Sequence, residues 1–174
     1  MTLRGKPPGR SRRPRKSGRG FWNRRALLVL TLVSASLAVA VVVVGFVVRE
    51  HRFVASARRI SAVAFPGGTV AVEVAVTPCE RRQGLAGREA LPTGRGMLFV
   101  YPDTRPRTFT MEGMRFGLDI ITLSAEGVVT GVVTKAPGGA AFETAPARYV
   151  LEVPAGWAAA HGVEAGTRAT LVGP

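Results

Sequence analysis

The chain has 174 residues, room for one domain plus an appendage, and a formal charge of +13 that by itself would point to nucleic acid. Its distribution argues against that partner: residues 1–59 carry 14 Lys/Arg against Glu50 alone, so residues 60–174 hold 10 basic and 10 acidic groups and sum to zero. Cys79 is the only cysteine, which rules out an intrachain disulfide.

Residues 1–25 contain ten Lys/Arg, no acid and scattered Pro and Gly. With almost nothing apolar to bury, they read as a disordered basic cytoplasmic arm that meets anionic lipid headgroups. Residues 26–48, "ALLVLTLVSASLAVAVVVVGFVV", run 23 positions without a charge. A helix of that length spans about 34 Å against a hydrocarbon core of about 30 Å, so the segment predicts one transmembrane helix and a lipid bilayer as partner.

Nine Lys/Arg lie in residues 6–25 and four in residues 49–68, which places the N-terminus in the cytoplasm and the following domain outside the cell membrane. Two other export readings reach the same topology. A cleavage site at "ASA", 55–57, would lie behind the charged "REHR", and "NRRALL", 23–28, resembles a twin-arginine signal. The apolar run is longer than a cleaved signal needs, which favours a retained signal-anchor.

Residues 49–68 read as a stalk ending in "FPGG", and residues 69–174 as the extracytoplasmic β-rich domain. "TVAVEVAV", 69–76, is a strand; "TPCE" after it offers Thr77 as N-cap, Pro78 at the first helical position and Glu80 three residues on, a capping box that predicts a helix to about Leu85. "MLFVY" reads as a buried strand and "RTFTM" as a strand broken at Gly113.

"LDIITLS" and "VVTGVVT" flank "AEG" as a hairpin. A two-residue turn at Glu126 and Gly127 would set Asp119 opposite Thr134; a loop that includes Ala125 would set it opposite Val133. "RYVLEV" and "TRATLV" are further strands, with "PAGWAAAHG" a short helix between them closed by Gly162. The sum is an α+β, β-rich class: a small curled antiparallel sheet or barrel with two short helices, preceded by one transmembrane helix.

Three ordered stretches, "EVAVTPCERRQGLAGREALPTGRGMLFVY", "TFTMEGMRFGLDIITLSAEGVV" and "ARYVLEVPAGWAAAHGVEAGTRATL", resemble the bacterial family known as domain of unknown function 192. The matching positions are Gly84-Leu85, Arg88, Gly96-Met97-Leu98-Phe99, Met111, Leu118-Asp119 and Leu151-Glu152. The resemblance implies a compact, mostly β domain, often exported or membrane-tethered, with no biochemical role attached. Thr110 stands where that family usually has Trp, and the 113–117 stretch lacks its usual Asn and Pro, so a surface built on that Trp is altered here.

Asp119 is the leading candidate residue, a carboxylate inside an apolar strand that requires N–H, hydroxyl or Arg partners, Arg88 among them. A ligand or partner surface is expected around Asp119, Arg88, Met111, Glu112 and Met114, with no catalytic residue and no metal or cofactor assigned. The expected role is a binding or structural module of the cell envelope, with an unknown envelope ligand or protein as partner. Two alternatives carry chemistry: an envelope enzyme using paired carboxylates such as Glu112 and Asp119, and a copper module using the thioethers of Met97, Met111 and Met114. Cys79, near the start of the predicted helix, would need His161, the domain's only histidine, to act as a nucleophile.

Overall fold

The computed structural model describes residues 24–173. The basic-arm reading of residues 1–25 therefore lies almost wholly outside the described residues. Two compact units divide at Gly45. The helix α1 (Arg24–Ala57) supplies the described part of the first unit and enters the second. It is long and apolar enough to cross a membrane, and its hydrophobic side chains from Leu27 to Val48 are exposed.

In the second unit, β1 (Ala62–Phe65), β2 (Gly68–Ala75), α2 (Pro78–Gln83) and β3 (Arg95–Arg105) come first. The short β4 (Thr108–Phe109), then β5 (Leu118–Leu123), β6 (Val129–Lys135) and the short β7 (Phe142–Glu143) follow. The chain continues through β8 (Ala147–Pro154), α3 (Trp157–Ala160) and β9 (Thr170–Val172). Seven strands form one sheet in the order β6-β5-β8-β3-β2-β1-β9, and β4 pairs with β7 apart from it. The sheet curls into a half-barrel: Val128 bridges Arg168, and the Val129 N–H bonds the Thr167 carbonyl, so segments beside the two edge strands meet.

Two expectations are corrected. The sheet is not wholly antiparallel: β2 and β3 run parallel, because α2 lies in the crossover between them. Nor is 49–68 a stalk: α1 continues to Ala57, and "AVAF" forms β1 between β2 and β9, with Val63 fully buried. Four residues of small and apolar side chains between a helix and a turn carry too short a pattern to announce a strand.

Alternation along the strands gives the sheet two apolar faces. Leu98, Val100, Ile121, Leu123, Leu151 and Val153 pack on one face with Val63, Val70 and Trp157. Met97, Phe99, Leu118, Ile120 and Val150 pack on the other beneath Leu85, Leu91 and Met111. Strands β3, β5 and β8 are thus covered on both sides.

The capping box forms as expected: Thr77 Oγ1 accepts the Glu80 N–H at 3.3 Å, and Glu80 Oε2 accepts the Thr77 N–H at 2.9 Å. The N–H groups of Thr77 and Val76 hold the Glu80 carboxyl down to about 2. The helix stops at Gln83, where Gly84 takes φ 50°. Thr77→Ala removes one of these bonds and is expected to cost about 1 kcal/mol, read from chemical denaturation of the full chain in detergent.

Candidate functional site

Asp119 is 1% exposed and sits on the face of the sheet shared with Ile121 and Leu123. The hairpin register that places it combines both turn expectations. Ala125 does belong to the loop, since Ser124 N–H bonds the Val128 carbonyl at 2.8 Å and Leu123 pairs with Val129. Thr122, however, pairs with Gly131, leaving Thr130 as the extra residue of a β-bulge. The bulge shifts the register back by one, and Asp119 faces Thr134 after all.

The Asp119 carboxylate accepts the Thr134 hydroxyl at 2.7 Å and the Ala158 N–H at 2.8 Å. Ala158 is the second residue of α3, whose N-cap, Gly156, offers no side-chain bond. Asp119 therefore caps α3 from the sheet, satisfying a helix-start N–H that would otherwise be orphaned.

The other expected site residues lie on the opposite face and do not converge on Asp119. Arg88 makes a bidentate pair with Glu73, both bonds 2.7 Å, and lines a cavity of about 410 Å³ together with Cys79 and Met97. Glu112 and Met114 line a second cavity, of about 300 Å³. Met111 is buried in the core between loops and lines neither cavity. The three thioethers share one apolar cluster without lining a common cavity. Glu112 and Asp119 are separated by the sheet, so they form no carboxylate pair. Cys79 is exposed on α2, whereas His161 stacks on Trp157 at 4.1 Å beside α3, so these two are not brought together either.

The residue that the candidate set lacked is Glu152. It lies on β8 with Val150, between Met97 of β3 and Ile120 of β5, and is 5% exposed. Its side chain lines the 300 Å³ cavity, and among the described residues its carboxyl makes no hydrogen bond or ion pair. Burial alone pushes that carboxyl up to about 8. The signal was present in "VLEVP", one carboxylate in an apolar strand, the same pattern that singled out Asp119.

Above Glu152 the cavity is walled by Phe99, Tyr101 and Phe109, with Phe99 and Phe109 edge to face at 5.2 Å. Thr108, Thr110, Arg82 and Gln83 stand at its exposed rim. Arg81 is committed elsewhere: its guanidinium bonds the carbonyls of Val76 and Val100, pinning α2 to the sheet, and lies 4.8 Å from the Tyr101 ring centroid. Arg107 lies 3.9 Å from the same centroid and holds Asp103 at 2.6 Å.

The second unit is thus a small α+β, β-rich domain: a half-barrel sheet with an unpartnered buried acid at the floor of an aromatic-walled cavity. The family model for DUF192, described as "Uncharacterized ACR", matches residues 62–171, and the chain belongs to that family. It is similar in structure to a Sinorhizobium meliloti protein provisionally described as a transcription regulator. There the identity is 31%, the TM-score 0.58, and the match covers 63% of this chain and 90% of that one. A Novosphingobium aromaticivorans protein of unknown function is similar at 28% identity and TM-score 0.58, over 63% of this chain and 81% of that one. No curated protein matches the chain.

Two outcomes follow from these carboxyls. Asp119→Ala strands the Ala158 N–H and the Thr134 hydroxyl, and is expected to cost about 2–4 kcal/mol in denaturation of the full chain. For Glu152, the unfolded chain releases its proton near pH 4.5 and the folded chain holds it to about 8, so in that window the native state binds more protons. Stability is therefore lost as pH rises, by up to about 1.4 kcal/mol per unit. The melting temperature of Glu152→Gln minus that of the wild type should grow from about pH 5 to about pH 8; a constant difference would contradict this.

Proposed function

We propose that the chain is a single-pass, membrane-anchored envelope protein whose extracytoplasmic domain binds a small ligand in the cavity floored by Glu152. The observation that carries this reading is the buried carboxyl without a partner. Such a group destabilises the native state near neutral pH, and a structural residue at that position would serve better as an apolar one. A cost kept in the fold at the floor of an open cavity is what a ligand contact looks like. The site expected around Asp119 moves with it to the other face, where Glu112 and Met114 stand beside Glu152 and Arg88 borders the neighbouring cavity.

Anchoring is supported by the length and apolarity of α1, and the orientation by the excess of Lys/Arg before it, with residues 1–25 meeting anionic lipid on the cytoplasmic side. The regulator description belongs to the S. meliloti protein; the charge balance of residues 60–174 offers no basic field for a nucleic-acid backbone.

Cys79, exposed and the sole cysteine, reports the topology. A membrane-impermeant maleimide should label it in intact cells whose outer membrane, where there is one, is permeabilised. Labelling that appears only after lysis would overturn the orientation. For the pocket, Thr110→Trp at the rim fills the cavity mouth. Ligand-observed NMR with a fragment library on the full chain in nanodiscs should give mutually competing hits that disappear in this variant, and a screen with no Thr110-dependent hit would remove the binding reading.

A further inference from the structure

We propose that the Glu152 cavity takes the protonated amine of a small ligand, its ammonium seated against the Glu152 carboxylate and its short apolar stem against Phe99 and Phe109. This rests on the ligand-binding reading above and gives it a chemical class.

Three features of the site favour a cation. Glu152 is 5% exposed and its carboxyl has no donor within the described protein, so the ligand must bring the donors. An ammonium brings three. Arg81, the half-buried cation in the cavity wall, is held by the carbonyls of Val76 and Val100 and by Tyr101, and makes no ion pair with the floor. Finally, Phe99, Tyr101 and Phe109 wall the cavity beneath a rim of Thr108, Thr110 and Gln83, and ring faces attract an ammonium where they offer nothing to an anion. An anionic ligand would meet Glu152 and Glu112 together.

The charge balance of the step is simple. The empty site holds Glu152 as the neutral acid; on binding, its proton passes to solvent and the ammonium takes its place, so the cavity gains no net charge. The charged and titratable groups facing Glu152 across this cavity are Tyr101 from β3, Arg81 and Arg82 from α2 and Glu112 from the loop after β4. Tyr101 is pushed further above its ordinary range by burial, so its hydroxyl exchanges no proton near neutrality.

The test uses the full chain in nanodiscs with three four-carbon probes of similar size: n-butylammonium, n-butanol and n-butyrate. Calorimetry in buffers of different ionisation enthalpy should show butylammonium binding with Kd on the order of 1 mM. About one proton should be released per ligand bound at pH 6.5, with affinity rising about tenfold per pH unit up to neutrality. In Glu152→Gln, which the pH argument expects to fold at least as well, butylammonium binding should fall at least tenfold and proton release should vanish.

Butanol or butyrate binding as tightly as butylammonium, or butylammonium binding unchanged in Glu152→Gln, overturns the amine class while leaving the pocket as a ligand site. Failure of all three probes at millimolar concentration overturns both.

Discussion

Strands β3, β8 and β5 are covered on both faces, and that constraint governs where polar groups in this domain can stand. A carboxylate in a strand with one solvated face needs no account. In these three strands it must either find partners inside the protein or stand at a cavity. Asp119 takes the first course, closing a bond to α3 on its own face of the sheet. Glu152, on the neighbouring strand and the other face, takes the second. The two residues look alike in sequence, and the parity of their positions, odd on β5 and even on β8, sends them to opposite sides.

How much could be read from the sequence follows the range of each interaction. The capping box at Thr77 and Glu80 was legible because every partner lies within four residues, and the hairpin because its strands are adjacent in the chain. The bulge at Thr130 was not, since nothing in "VVTGVVT" marks which residue falls out of register. The parallel pairing of β2 with β3 and the recruitment of "AVAF" into the sheet depend on partners that only the folded topology supplies. Glu152 is hidden for a different reason: "VLEVP" and "LDIITL" each set one carboxylate in an apolar strand, and which of the two meets donors and which a cavity depends on what packs above each face.

The pocket also explains why its walls hold their shape. Arg81 joins α2 to the Val76 carbonyl just past β2 and to the Val100 carbonyl in the middle of β3, and it shares the Tyr101 ring with Arg107, itself 7% exposed and bonded to Asp103. Side chains committed in this way hold Tyr101 beside the acid floor, so that part of the cavity wall is fixed by the fold itself.

The placement of β9 has a consequence for how the molecule comes into being. β1, first of the strands, is completed on one side by β2 within a few residues, but its other side waits for Thr170–Val172, contributed after every other strand. A chain emerging from its N-terminal end therefore carries an unfinished sheet until β9 arrives, and the β1–β9 pairing is the one of greatest sequence separation among the strand pairs. β1 gains its second neighbour only once Thr170–Val172 has been made, whatever the rest of the sheet has already paired.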